Sequence, residues 1–258
     1  MTRLGHLFLR KQSDILNIYF TAGYPSLNDT VPIMLALQDA GVDIIELGMP
    51  YSDPLADGPI IQQSSLQALA NGMTMEKLMS QLKDFRQQIS LPLILMGYMN
   101  PVIQYGFDRF CSDAAAAGVD GLILPDLPEF EFENMYGSML TQAGLDFIFL
   151  VTPETSEERI RKLDALSSGF LYAVSSSSTT GTDKDMEEVG RYLERLKAMQ
   201  LHNPVMAGFG IRDKHTFESA CKHANGAIIG SAFVRALEGS PNPGETATAF
   251  IKTLKTPS

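Results

Sequence analysis

The feature that most constrains the fold of this chain is a regular alternation of short apolar runs with longer segments of helical periodicity. The runs are rich in Ile, Leu and Val without a strict alternation of apolar and polar residues, which is typical of parallel strands covered on both faces. Eight runs occur, at 15–22, 43–48, 91–97, 119–125, 145–152, 170–175, 204–208 and 226–230. Helices are predicted after them at 27–40, 75–88, 107–117, 131–143, 156–166, 186–200, 214–223 and 245–254.

Eight strand–helix units in 258 residues predict an α/β fold, a (β/α)8 TIM barrel that spans 1–258 as a single domain. An extra N-terminal helix is predicted at 2–11, where it could cover the bottom of the barrel. Three predicted helices run into a glycine before the next strand, in DAGVD (39–43), AAGVD (116–120) and QAGLD (142–146), and glycine commonly ends a helix in this way. An open, doubly wound parallel sheet is the alternative that the same pattern allows.

Charge and cysteine content restrict the partners and the compartment. The chain has 20 Lys and Arg residues against 30 Asp and Glu residues, and this net charge of −10 repels both a phosphate backbone and an anionic membrane surface. We therefore expect neither nucleic acid nor a membrane as a partner. The two cysteines, Cys111 and Cys221, and the lack of a signal peptide or of an apolar run near the roughly 20 residues of a membrane span predict a reduced, cytoplasmic protein.

Glu46 is an acidic residue inside the second predicted strand. With a period of two, Ile45 and Leu47 face the outer helices, while Ile44, Glu46 and Gly48 face the barrel axis. A carboxyl group in that setting either has a raised pKa, as an acid–base catalyst does, or bridges to a structural partner. Both interpretations remain open from the residues alone.

The loop after this strand, MPYSDPLADGP (49–59), contains three prolines and a second candidate carboxylate, Asp57. Prolines limit the freedom of the backbone, which suits a loop that presents a side chain at a set place. Asp57 could instead form a turn or cap a helix, because Gly58 and Pro59 follow it.

Glycines after the last two strands predict a phosphate site. Gly208, Phe209 and Gly210 follow the seventh run, and Gly230 and Ser231 follow the eighth, where barrels often bind phosphate through backbone N–H groups. The alternative is that these glycines only make tight turns. After the sixth run, the segment SSSSTTGTD (175–183) could be a lid over the substrate or a plain linker.

Several chemistries have no signature here. The eight runs contain no lysine, which argues against a Schiff-base aldolase, and His6, His202, His215 and His223 lie away from the predicted carboxyl ends of the strands. No zinc-like ligand spacing occurs and no G-x-G-x-x-G follows the first run, so neither a metal nor a dinucleotide cofactor is predicted.

The segment ELGMPYSDPLADGPIIQ (46–62) resembles the signature of the tryptophan synthase α subunit family. The resemblance continues through YFTAGYP (19–25), YMNP (98–101), GVDGLILPDLP (118–128), GFGI (208–211) and IIGSAFV (228–234). It implies a cofactor-free reverse aldol cleavage of indole-3-glycerol phosphate to indole and glyceraldehyde 3-phosphate. It also implies an α2β2 complex in which indole passes to a pyridoxal-phosphate β subunit.

The same resemblance implies roles for individual residues. Glu46 would be the acid–base residue, Asp57 would accept the indole N–H, and Thr180 would join the lid to Asp57. The phosphate would bind at Gly181, Gly208, Phe209, Gly210, Gly230 and Ser231, the indole ring among Tyr19, Met96, Ile123 and Tyr172, and the β subunit at Pro50, Asp53, Pro54 and Asn100. One departure is the run Ser176, Ser177 and Ser178, where many family members have a glycine and an arginine.

Two other functions share parts of this pattern. A phosphosugar isomerase or epimerase would use the same barrel and phosphate site, but with acids or metal ligands on several strands. A non-catalytic subunit that only activates a partner would not need both Glu46 and Asp57.

Overall fold

The computed structural model describes residues 2–174, 183–208 and 210–255. Within these ranges nine strands form one sheet, and each strand pairs with its neighbours in parallel. The strands are β1 (Ile15–Thr21), β2 (Ile44–Gly48), β3 (Leu93–Met96), β4 (Gly121–Ile123), β5 (Asp146–Phe147), β6 (Leu150–Val151), β7 (Leu171–Val174), β8 (Val205–Gly208) and β9 (Gly226–Ile229). All residues of β1 and β2 are buried, as two-sided covering requires.

The sheet closes through the fifth predicted run, which the structure divides into β5 and β6. These two short strands are at opposite ends of the strand order β5-β4-β3-β2-β1-β9-β8-β7-β6, yet only Ile148 and Phe149 separate them in the chain. The N–H of Ile148 donates to the Leu122 carbonyl at 3.0 Å, whereas the Phe149 carbonyl accepts from the Tyr172 N–H at 3.0 Å. One continuous run therefore joins β4 to β7 and completes a parallel barrel of eight runs. The barrel prediction is confirmed, and the open sheet is wrong.

The helices pack around this barrel. They are α1 (Arg3–Arg10), α2 (Thr30–Asp39), α3 (Pro59–Ala70), α4 (Met75–Leu82), α5 (Met99–Tyr105), α6 (Phe107–Ala117), α7 (Glu129–Glu131), α8 (Gly137–Ala143), α9 (Glu157–Leu166), α10 (Asp183–Ala198), α11 (Lys214–Cys221), α12 (Ser231–Leu237) and α13 (Pro243–Lys255). A 3₁₀ turn at Phe85–Gln87 ends the segment predicted as 75–88, and a π-helical turn at Phe132–Tyr136 lies between α7 and α8.

Helices α3, α5 and α12 are not predicted by the sequence pattern. Helix α3 buries the small side chains Ser64, Ser65 and Ala68 against the barrel, so it has no stripe of large apolar residues that periodicity could reveal. Helices α5 and α12 have seven residues each, which is too short for a periodic signal.

Glycines end two of the predicted helices in the expected way. Gly118 after α6 and Gly144 after α8 have left-handed backbones, with φ of 89° and 72°. The N–H of Gly118 donates to the Ala114 carbonyl at 3.1 Å and so satisfies a carbonyl of the last turn.

Helix α1 covers the end of the barrel where the strands begin. The Thr2 hydroxyl donates to Asp146 Oδ2 at 2.6 Å, and Arg3 donates to Asp120 Oδ1 at 3.0 Å. Both acceptors lie at the start of strands, and Leu4 is fully buried between α1 and the barrel. The predicted N-terminal helix is therefore confirmed, and the opposite end of the barrel stays accessible. No helix in the described part of the chain is long and apolar enough to cross a membrane.

Candidate active site

A cavity of about 1240 Å³ opens where the strands end. Its walls are formed by residues from the ends of several strands and the loops that follow them, as expected for a barrel enzyme, and by residues of α9, α10 and α11. Of the residues singled out in the sequence, those lining the cavity are Tyr19, Glu46, Asp57, Met96, Tyr172, Gly210, Gly230 and Ser231. The fold thus brings residues that are far apart in the chain, from Tyr19 to Ser231, together at one site.

Glu46 is in the middle of β2 and is fully buried. Asn17 on β1 donates a hydrogen bond from Nδ2 to Glu46 Oε2 at 2.7 Å. Glu46 Oε1 has no hydrogen-bond partner among the described residues. Burial raises the pKa of Glu46 to about 8, the Asn17 hydrogen bond lowers it in part, and the charge of Asp57 adds to the increase. This carboxyl group is therefore mostly protonated at neutral pH.

Asp57 lies in the loop between β2 and α3, and its carboxylate is bound by an aromatic hydroxyl. The Tyr98 hydroxyl donates to Asp57 Oδ2 at 3.1 Å and accepts from the Ala56 N–H at 3.0 Å. Burial raises the pKa of Asp57 to about 6, while the Tyr98 hydrogen bond lowers it. The N-cap position of α3 is Gly58, and no side-chain cap bond occurs there within the described residues, so Asp57 does not cap this helix.

The two carboxyl groups therefore differ in charge at neutral pH. Their surroundings raise the pKa of Glu46 to about 8 and that of Asp57 to about 6. One acid and one carboxylate then face the same cavity, which is the arrangement needed for proton transfer beside a developing positive charge.

Two buried tyrosines form the aromatic walls of the cavity. A side chain at Gly48 would overlap the Tyr19 hydroxyl, and a side chain at Gly208 would overlap the Tyr172 ring. Glycine at the end of β2 and of β8 therefore makes room for the two rings. Burial raises the pKa of both tyrosines, and the nearby Glu46 and Asp57 charges add to this, so the phenols stay neutral.

Met96 and Ile123 differ in their access to the cavity. Met96, the last residue of β3, lines it, whereas Ile123 is fully buried and does not line it in the described part of the chain. Ile123 is the register partner of Met96 on β4, so the two residues lie side by side on neighbouring strands and share one face of the sheet.

Four residues of the predicted phosphate site are described, Gly208, Gly210, Gly230 and Ser231, and they lie at the ends of β8 and β9. Gly210 has φ of 72°, which favours glycine, and Gly230 precedes Ser231 at the start of α12. Gly208 lies against the Tyr172 ring, a packing role that the sequence did not predict. Thr180, Gly181 and Phe209 are outside the described residues, as are the segment 175–182 and its three serines.

The predicted contact residues for a partner lie in the loop after β2 and at the start of α5, which follows β3. Asp53 and Asn100 are exposed, and Asn100 donates to the Tyr51 hydroxyl at 3.0 Å. Pro50 is half-buried. Pro54 is buried within this chain and offers little surface to a partner, whereas the adjacent Leu55 is 91% exposed.

Comparison with known proteins shows the family to which this chain belongs. A model of the family described as "Tryptophan synthase alpha chain" matches residues 8–256. The chain belongs to the tryptophan synthase alpha chain family. The tryptophan synthase alpha chain of Parabacteroides distasonis is 49% identical over 256 residues, covering 99% of this chain and 100% of the relative.

Two further members of the tryptophan synthase alpha chain family support this assignment. The protein from Flavobacterium johnsoniae is 52% identical over 233 residues, covering 90% of this chain and 92% of the relative. The solved structure of tryptophan synthase subunit alpha from Legionella pneumophila has a TM-score of 0.89 at 33% identity, covering 98% of this chain and 97% of that chain.

Four site residues of this family member were not found from the sequence. Asn17 is an amide within an apolar run, two positions before Tyr19 on the same strand face, and this pattern could have identified it. Tyr98 belongs to the YMNP segment but was given no role. Arg212 and Arg235 also line the cavity, yet nothing in the sequence distinguishes them from ordinary surface arginines.

Proposed function

We propose that this chain cleaves indole-3-glycerol phosphate to indole and glyceraldehyde 3-phosphate. The observation that carries the proposal is the pair of carboxyl groups in one cavity, Glu46 with a pKa of about 8 and Asp57 with a pKa of about 6. Membership of the tryptophan synthase alpha chain family supports it.

The reaction needs two proton transfers and no net loss or gain of a proton. Protonated Glu46 gives its proton to indole C3, and positive charge then develops on the ring. Ionised Asp57 accepts the hydrogen bond of the indole N–H and stabilises this charge. The Glu46 carboxylate next takes the proton of the adjacent glycerol hydroxyl, the C–C bond breaks, and its electron pair returns to the ring as the hydroxyl carbon becomes an aldehyde. Glu46 ends the cycle protonated, as it began.

The substrate is proposed to lie with its ring among Tyr19, Met96 and Tyr172, with Ile123 beside Met96 on the neighbouring strand. Its phosphate would accept hydrogen bonds from backbone N–H groups at the ends of β8 and β9. The proposed phosphate set is Gly181, Gly208, Phe209, Gly210, Gly230 and Ser231, and Thr180 is proposed to contact Asp57. A cationic contribution from Arg212 and Arg235 fits their place in the same cavity.

The proposed partner is a tryptophan synthase β subunit in an α2β2 complex. The proposed contact residues are Asp53, Asn100 and Pro50, which are exposed or half-buried, and the buried Pro54, which would act from beneath this surface. An apolar product released there could enter a docked neighbour without crossing bulk water. A cytoplasmic location stays a prediction.

The test is indole release by the isolated chain from indole-3-glycerol phosphate. Glu46→Gln and Asp57→Asn keep the side-chain shapes, and each is expected to lower kcat by about 10² to 10⁴-fold while folding normally. A matched control is Asp84→Asn, an exposed carboxylate before β3 at the other end of the barrel, which should retain full activity.

The alternatives give different results in the same assay. An isomerase or epimerase would consume a phosphosugar without releasing indole, and a non-catalytic subunit would do neither. Wild-type kcat in folded Glu46→Gln would remove Glu46 from the mechanism.

A further inference from the structure

Asn17 is a polar side chain in a place where the fold favours an apolar one. It lies on β1 between Leu16 and Ile18, which are both buried, and Asn17 itself is fully buried. Its Nδ2 donates to Glu46 Oε2 at 2.7 Å. Its Oδ1 has no hydrogen-bond partner within the part of the chain that the structure describes. Because an unpaired buried polar atom destabilises the folded state, an apolar side chain of the same shape would suit the barrel better.

The single bond that Asn17 makes is directed at the proposed acid–base residue. In the parallel pair β1–β2, Asn17 is the register partner of Ile44, and Tyr19 is the register partner of Glu46. Asn17 and Tyr19 face the barrel interior together. Asn17 does not line the cavity in the described part of the chain, whereas Glu46 does. Asn17 can therefore act on the substrate only through Glu46.

The chemistry of an amide donor distinguishes the two oxygens of Glu46. Oε2 can accept the Asn17 N–H as a carboxylate oxygen or as the carbonyl oxygen of the protonated acid. A proton on Oε2 would lie against this donor, whereas Oε1 has no such neighbour among the described residues. The bond can therefore persist through both protonation states if the proton is carried by Oε1.

We propose that Asn17 is the positioning residue of Glu46, binding Oε2 and leaving Oε1 as the oxygen that gives and takes the proton. This inference rests on the proposed lyase function. The groups that face Glu46 from other elements are Asp57 in the loop after β2, Tyr19 on β1 and Tyr172 on β7. Only Asn17 donates a hydrogen bond to the Glu46 carboxylate among the described residues.

The first test is Asn17→Leu, which removes the donor and keeps a similar shape. We expect kcat for indole release to fall about tenfold, with KM nearly unchanged, because a bond to an ionised group is lost outside the binding surface. The Asn17 hydrogen bond stabilises the ionised form of Glu46. Its loss should therefore raise the pKa of Glu46 and move the corresponding midpoint of the pH profile to higher pH. Asn17→Val, which cannot overpack the strand, is the second variant if the first fails to fold.

The matched control is Ser64→Ala. Ser64 is buried on α3 and shares a hydrogen bond of 2.6 Å with Thr21 on β1, so its loss also removes a buried polar contact of this strand. It leaves the Asn17–Glu46 bond intact, and both kcat and the pH midpoint should stay at their wild-type values. An equal fall of kcat in Ser64→Ala, an effect on KM alone, or wild-type kcat in a folded Asn17 variant would overturn the inference.

A spectroscopic measurement separates this inference from the proposed function. The ¹³C carboxyl titration of Glu46, identified by its absence in Glu46→Gln, should move to higher pH in Asn17→Leu. If the wild-type chain releases no indole, the proposed function fails, while the titration still reports the link between Asn17 and Glu46. An unmoved titration in the folded variant overturns the inference by itself.

Discussion

The Tyr98 hydroxyl donates a hydrogen bond to Asp57 Oδ2 at 3.1 Å and joins the segment after β3 to the loop after β2. The same hydroxyl accepts from the Ala56 N–H, so one phenol holds both the carboxylate and its backbone. The Tyr98 ring packs on Tyr51, with ring centroids 5.5 Å apart, and Tyr51 accepts a hydrogen bond from Asn100. Asp57 is thereby connected to the surface proposed for the β subunit.

Tyr98→Phe should raise the pKa of Asp57 above about 6, because the hydroxyl that stabilises the carboxylate is lost. Relative to the wild type at the same pH, we expect kcat/KM to be several-fold lower at pH 6. At pH 8, where Asp57 of the variant is ionised again, this difference should be smaller. The measurement is indole release across this range. Tyr51→Phe is the control, since it keeps the ring contact and loses only the Asn100 bond. Equal pH profiles for Tyr98→Phe and the wild type would mean that the hydroxyl does not influence Asp57.

The wild-type enzyme should show a bell-shaped dependence of kcat/KM on pH. The acid limb near pH 6 reports ionisation of Asp57, and the alkaline limb near pH 8 reports loss of the proton from Glu46. The substrate phosphate also titrates at about pH 6. The acid limb belongs to Asp57 if Tyr98→Phe moves it upward, since this substitution leaves the titration of the free substrate unchanged. Activity that rises steadily through pH 9 would contradict the proposed role of protonated Glu46.

Glu46 should make the fold less stable as pH rises. Its pKa is raised from 4.5 to about 8 in the folded chain, so between these values the unfolded chain releases a proton that the native chain keeps. The stabilising contribution is complete below pH 4.5 and is lost as pH rises through 8. Glu46→Gln, which can keep the Asn17 bond, should therefore gain free energy of unfolding relative to the wild type from pH 5 to pH 8, on the order of a few kcal/mol.

Denaturant unfolding at several pH values measures this difference. Asp57→Asn is the comparison. Because the pKa of Asp57 is raised only to about 6, the gain in free energy of unfolding of this variant over the wild type should be complete at a lower pH than that of Glu46→Gln. A stability difference between Glu46→Gln and the wild type that does not change with pH would show that Glu46 titrates normally.

Gly210→Val should weaken phosphate-bearing ligands more than free indole. A side chain there would be strained by φ of 72° and would cover the N–H groups proposed to bind the phosphate. Binding of glycerol phosphate is expected to weaken at least about tenfold. Gly144→Val is a matched control, because Gly144 has the same φ and, as at Gly210, no described atom lies within 4 Å of its added Cβ. Equal losses for glycerol phosphate and indole would place the phosphate elsewhere.

Asp53→Ala should reduce activation by the β subunit and leave the basal activity of the isolated chain nearly intact. Asp53 is exposed in the loop between β2 and α3, and it does not line the cavity in the described part of the chain. Indole release with and without the β subunit measures the effect, and Asp84→Ala at the other end of the barrel is the control. The same fractional loss under both conditions would assign Asp53 to catalysis.

Local sequence was sufficient for the parallel strand–helix units, the N-terminal helix and the strand that carries Glu46, but it allowed an open sheet as well as a closed barrel. Runs of Ile, Leu and Val form buried strands whichever neighbours they pair with. Gly118 and Gly144 end helices because glycine readily adopts a left-handed backbone. The segment 46–62 contains both candidate carboxyl groups, and it is the resemblance of this contiguous segment to the family signature that implies their roles.

Only the tertiary structure decided which groups contact these carboxyls. Asn17 is 29 positions from Glu46, and Tyr98 is 41 positions from Asp57, so each bond depends on strand register and side-chain direction. The division of the fifth run into β5 and β6 has the same origin, since each half pairs with a different neighbour as the barrel closes. The burial that sets the pKa of Glu46 comes from the barrel as a whole, and no local pattern in the chain contains it.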